Sequence, residues 1–151
     1  MPTVHMILQG GCAVAVIKYT EAELDLLARL MRAEAEGDGQ LGMLLVGNVG
    51  VDRVRSECLD FNDIRNEDMV FQSPGGFEAS TKSYFYQRAR EAVLKLARRV
   101  INGERFTPGE QSLWFFMPVG DCPAQWYNQW NTGRFKSHCF FSPTAEDCPN
   151  L

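Results

Sequence analysis

Histidine is scarce: the 151 residues hold only His5 and His138. A catalytic zinc site draws on three protein ligands, and two histidines so far apart make such a triad hard to build. The five cysteines, at 12, 58, 122, 139 and 148, contain no C-x-x-C pair. Cys122, His138, Cys139 and Cys148 match no standard zinc spacing, so no metal and no cofactor are expected. An odd number leaves at least one thiol unpaired within a monomer. Buried free thiols are the expectation, with crosslinking between chains as the second reading. An excess of positive charge is also missing. The net charge of −4 argues against a mainly electrostatic nucleic-acid binder. Long apolar runs are absent as well. Cys12–Ile17 is too short to cross a bilayer and no basic segment precedes it, so neither a membrane span nor a standard secretory leader is expected.

What is present suits one folded domain with one core: 45% hydrophobic and 23% charged residues. Residues 1–18, with Gly10-Gly11, read as an N-terminal extension. Residues 19–151 read as the domain. Its organising stretch is Leu24–Gly39. Thr20 and Glu23 have capping-box spacing, and Gly37 and Gly39 stop the helix. At about 100° per residue, Leu24, Leu27, Ala28, Met31 and Ala35 share one face. Asp25, Arg29, Arg32 and Glu36 lie opposite, toward solvent. Glu34 falls on the flank of the apolar face, in the last turn. Partial burial and the helix dipole both favour a protonated carboxyl there, as a general acid requires. Spacing alone favours the plainer reading, a boundary carboxylate that reaches the surface.

Leu41–Arg55 is apolar almost throughout, and its length favours a buried helix over a strand. Glycines at 42, 47 and 50 cost roughly 1 kcal/mol each against alanine, so close packing is expected around them. Asn48 and Asp52 lie one turn apart on it, and Arg53 follows. Pairing within the core is one reading; orientation of Glu34 is the other. Cys58–Ala79 carries turn signals and places Phe77 and Glu78 on a loop. Ser80–Ile101 reads as a helix with a basic side of Arg88, Arg90, Lys95, Arg98 and Arg99, usually a solvated face. Ser112–Pro118 and Arg134–Phe141 read as strands. The loop expected between them, Val119–Gly133, interleaves Trp126, Tyr127, Asn128, Gln129, Trp130 and Asn131. Rings and amides suit a sugar; they equally suit a small aromatic core under a long loop.

The runs Arg32–Gly39, Gly42–Gly50 with Arg53, Phe77-Glu78-Ala79, Tyr84–Arg90, Asn102–Arg105, Ser112–Phe115, Trp126–Asn128 and Arg134–Phe140 recur in one order. Through them the chain from about Tyr19 onward resembles the spore cortex-lytic cell-wall hydrolases. It is most similar to the coat-associated type, a catalytic domain with no separate wall-binding module. The resemblance implies an α+β fold, mostly helical: a small lysozyme-like domain with a short β element. It also implies cleavage of peptidoglycan glycan strands in spore cortex during germination, by hydrolysis or lytic transglycosylation. Glu34 is then the catalytic acid, with Glu78 and Asp38 as candidate second carboxylates, where many members carry a small hydroxyl residue and Glu respectively. Substrate-binding residues on this reading are Asn48, Phe77, Trp114, Trp126, Tyr127 and Asn128. The expected location is the spore coat, with synthesis in the mother cell and a coat protein as partner. The competing classes are a non-catalytic coat or wall-binding protein and a metal-dependent amidase.

Overall fold

A computed structural model of the protein describes residues 16–61, 87–126 and 128–151. Among the described residues three α-helices pack together and a four-stranded antiparallel sheet closes one side. The fold is α+β and mostly helical, as the family resemblance implies. Helix α1 spans Glu21–Ala35. Its capping box is formed: the Thr20 amide donates to Glu23 Oε1 at 2.7 Å, and the Glu23 amide donates to Thr20 Oγ1 at 3.1 Å. A 3-10 turn, Glu36–Asp38, leads into helix α2, Gly39–Ser56. α2 is buried along most of its length, which explains its nearly unbroken apolar sequence. At Gly47 a Cβ atom would lie 2.9 Å from Val100 Cγ2 and 3.0 Å from Met31 Sδ. Only glycine lets the neighbouring helices approach that closely. The packed body reaches back to Ile17, which is buried, and to Val16, whose amide donates to the Ile101 carbonyl at 2.8 Å.

Helix α3 is shorter than its sequence pattern suggests. It spans Glu91–Ile101 rather than starting at Ser80; residues 80–86 lie outside the described residues. Arg90 is extended and acts as its N-cap residue. The chain just before it is held by α1 instead of by helical bonds. Arg32 donates to the Gln87 and Arg88 carbonyls at 3.0 and 3.1 Å, and the Ala89 amide donates to Asp25 at 3.4 Å. Arg32, expected to face solvent, is therefore buried. The basic side of α3 is a paired surface: Arg98 meets Glu91 and Glu21, and Arg99 meets Glu104.

The strands are β1 (Trp114–Phe116), β2 (Gln125–Trp126), β3 (Gln129–Phe135) and β4 (His138–Ser142), in the order β1-β4-β3-β2. The expected Val119–Gly133 loop is thus half strand: Gln129–Gly133 pairs with β4 and β2. The expected Arg134–Phe141 strand is cut in two. Lys136 takes a left-handed conformation with φ +49, and a tight turn at 136–137 joins β3 to β4. The cysteines also correct the free-thiol expectation. Cys58 bonds Cys148, and Cys122 bonds Cys139; Cys12 lies outside the described residues.

Candidate active site

Glu34 sits half-buried in the last turn of α1, on the flank its spacing implies. Arg53 of α2 is within electrostatic reach of it. This guanidinium is 4% exposed, donates from Nε to the Leu113 carbonyl at 2.8 Å and lies 4.9 Å over the Phe61 ring. Burial pulls it down to about 9, opposed by the Glu34 charge. It is therefore a buried cation at neutral pH whose charge interacts with that of Glu34.

One turn beyond Glu34, Asp38 ties the α1–α2 junction to the β3–β4 turn. Its carboxylate accepts from Ser137 Oγ at 2.7 and 2.9 Å and from His138 Nδ1 at 2.8 Å. Lys136 Nζ reaches its backbone carbonyl at 3.4 Å. Burial by itself raises the Asp38 carboxyl, but the bonds from Ser137 and His138 outweigh it and hold the group below its ordinary value. Asp38 is an ionised, occupied acceptor. That suits a structural clasp better than a group trading protons near neutral pH.

A second constellation comes from α2. The Asn48 amide donates to the Glu104 carbonyl at 2.8 Å and accepts from the Phe106 amide at 2.7 Å. Asp52 pairs with Arg55 at 3.2 Å and Arg105 at 3.5 Å. Its Oδ2 is buried without a hydrogen-bond partner. Burial pushes the Asp52 carboxyl well above its ordinary value, against the pull of Arg105 and Arg55. With Arg53 on Leu113, these side chains strap the segment 104–113 across α2. The far side of that strap meets the sheet, where Ser112 Oγ and Thr132 Oγ1 both donate to the Pro108 carbonyl. Asn48, expected to meet substrate, is 3% exposed and turned to this strap.

The aromatic candidates divide. Trp114 is half-buried, packs on the main core, and has its ring 5.7 Å from Phe61. Trp126 joins a separate cluster on the sheet, 4.6 Å from Phe116 and 5.5 Å from Phe141. The Cys122–Cys139 bond lies beside it, since Cys139 pairs with Phe116 in register. Asn128 is exposed at the β2–β3 turn with φ +65. Trp130 is 50% exposed. Phe77, Glu78 and Tyr127 lie outside the described residues. Ser137 did not stand out in the sequence, and His138 drew notice only as a doubtful metal ligand. A His one residue past a turn Ser, opposite an Asp at a helix junction, carries no spacing signal, because the contact spans 100 residues. Among the described residues no group of His, Cys, Asp and Glu could hold a metal ion, and no helix is long and apolar enough to cross a membrane.

Comparison with known proteins places this arrangement. The family model described as Cell Wall Hydrolase matches residues 37–141, beginning just after Glu34. The chain is 66% identical over 139 residues to "Cell wall hydrolase CwlJ" of Oceanobacillus iheyensis, covering 91% of this chain and 99% of that one. It is 59% identical over 138 residues to the protein of the same name in Bacillus subtilis, covering 91% and 97%. The fold is similar to the crystal structure of the catalytic domain of the Bacillus cereus SleB protein. The TM-score is 0.65 at 23% identity, over 83% of this chain and 93% of that one. Matched by the family model over most of its described body, and by these relatives over nearly its full length, the chain belongs to the cell wall hydrolase family.

Proposed function

We propose that the protein cleaves the glycan strands of spore-cortex peptidoglycan during germination, with Glu34 as the general acid. The observation that carries this reading is a half-buried carboxylate at the end of α1, in a chain 59% identical to a cell wall hydrolase of Bacillus subtilis. Glu34 protonates the glycosidic oxygen as the bond to the anomeric carbon breaks. A classical glycosidase then needs a second carboxylate about 5 to 9 Å away. A lytic transglycosylase needs one group, which takes a proton back from the sugar's own hydroxyl. The occupied state of Asp38 favours the single-carboxylate route. Mass spectrometry of the products decides: anhydromuramic ends support that route and reducing ends refute it.

Glu36 provides the control. It is exposed and pairs with Arg90 at 2.7 Å, two residues from Glu34 and on another side of the helix. Glu34→Gln is expected to lower lysis of purified cortex by at least about 100-fold, the low end for general acid catalysis. Glu36→Gln is expected to leave it unchanged. An active Glu34→Gln protein overturns the assignment. The coat is the proposed location, with synthesis in the mother cell and retention by a coat protein. Undiminished retention in every strain lacking one other coat protein refutes that part.

A further inference from the structure

Asp38 is the N-cap residue of α2, yet its side chain makes no capping hydrogen bond. An aspartate in that place ordinarily accepts from an amide of the first turn and stabilises the helix start. Here the carboxylate turns instead to Ser137 and His138 at the β3–β4 turn, 99 and 100 residues further on. The backbone on both sides of this contact is shaped for it. Gly39 follows with φ +80, and Lys136 in the facing turn holds φ +49, which a long side chain rarely adopts. At Gly42 a Cβ would lie 2.4 Å from Asp38 Cβ, so only glycine lets Asp38 pack back over the first turn of α2. His138 is buried with its ring edge-on to Phe115 at 5.3 Å, so Nδ1 is presented from a fixed ring. A forgone cap and a left-handed lysine both cost stability. Features of that kind persist where the surroundings hold them, and they cluster at working sites.

We propose that Asp38, Ser137 and His138 are positioning residues for the reaction: their clasp registers the α1–α2 corner, and with it the backbone of Glu34, against the sheet. The inference rests on the reading of Glu34 given above. Glu34 is the second-last residue of α1, and Asp38 ends the 3-10 turn that follows. That turn is too short to let one end move without the other. On the opposite side, Ser137 and His138 stand where β3 passes into β4, in the sheet that also carries Trp126 and Asn128. A glycan lying across helix corner and sheet therefore meets the acid at a set distance. A misplacement of about 1 Å in such a geometry can lower a rate by about 100-fold.

The test is kcat and KM on soluble cortex fragments at 20 °C, with thermal melts alongside. Asp38→Ala and His138→Leu each break the clasp, and each is expected to lower kcat by about 10- to 100-fold while KM moves by less than about threefold. His138→Asn keeps a donor as many bonds from Cβ as Nδ1 is and is expected to restore most of the lost kcat. The double variant Asp38→Ala/His138→Leu is expected to lose no more than the worse single variant, because one clasp is broken once. Losses that multiply in the double variant, an unrescued His138→Asn, or a full kcat in both folded single variants overturn the proposal. A loss in Asp38→Ala alone means a carboxylate used directly and overturns it as well. If the single variants do not fold, Ser137→Ala removes one hydroxyl and is expected to lower kcat several-fold with KM held; an unchanged kcat there overturns the proposal. An active Glu34→Gln protein sinks the acid reading instead, so the two failures are told apart.

Discussion

Replacing Asn48 by Ala removes both ends of one amide at once. The Glu104 carbonyl loses a donor at 2.8 Å and the Phe106 amide loses an acceptor at 2.7 Å. Leaving a buried polar group unpaired costs about 1–3 kcal/mol. Both partners here are part-buried, so water recovers some of each loss, and about 2–4 kcal/mol is the expected total. For a domain of this size each kcal/mol moves Tm by about 2–4 °C, which places the Asn48→Ala melt about 5–15 °C below the parent. Asn48→Asp separates the two bonds. It keeps an acceptor for Phe106 but turns a carboxylate toward the Glu104 carbonyl, and it should be no more stable than the Ala variant at neutral pH. Differential scanning calorimetry on both, with cortex-fragment kinetics at 20 °C, is the assay. A melt within about 1 kcal/mol of the parent together with a raised KM would refute the strap and return Asn48 to the substrate.

Three further outcomes are expected. Asp52 has a raised carboxyl in the folded state, so its contribution is full below the unfolded value near 3.9 and is lost as pH rises through the folded one. Asp52→Asn should therefore stabilise at pH 7 and gain nothing at pH 3.5; a lower Tm at pH 7 would mean that Arg55 and Arg105 outweigh burial. Reducing both disulfides should lower stability by several kcal/mol, because Cys58–Cys148 closes a loop with sequence separation 90, for which chain entropy suggests about 4–5 kcal/mol; an unchanged melt in reductant refutes it. Trp126→Ala should cost about 2 kcal/mol through its lost ring contacts, whereas Asn128→Gly keeps the left-handed turn and should weaken glycan binding without an early melt, and unchanged binding there removes the turn from the site.

The helices were legible where periodicity and caps agree. Thr20 and Glu23 mark the start of α1, and an apolar run with close-packing glycines marks α2. The start of α3 was not, because what interrupts the helix at 87–90 is a guanidinium from a different helix. No local pattern encodes a competing donor 55 residues away. The β3 strand was hidden for a related reason. Its residues alternate half-buried and exposed, yet the amides and rings along it resemble a binding loop as much as a pleated edge. The disulfides could not be deduced, since five cysteines allow many pairings. The half-buried flank of Glu34 was legible from its place on the helical wheel, whereas its reading as the acid came from the family resemblance. Arg53 was visible only as the residue after Asp52 and as part of the resembling runs, and its direction is settled by the carbonyl of Leu113, 60 residues away, and the ring of Phe61.

The Cys58–Cys148 bond gives the molecule a covalent topology unlike that of an open chain. Everything from the end of α2 to the tail, including α3 and the whole sheet, lies on a closed ring. α1 and α2 form an arm that leads into it. The Cys122–Cys139 bond draws a smaller ring inside the first. A protease that cuts once anywhere between 58 and 148 opens the ring but separates nothing. The nicked protein keeps its mass, loses its fragments only in reductant, and presents new chain ends in the middle of the molecule. A cut between 16 and 57 instead frees part of the arm that carries Glu34. Limited proteolysis read on paired reducing and non-reducing gels therefore reports which side of Cys58 was cut before any fragment is sequenced.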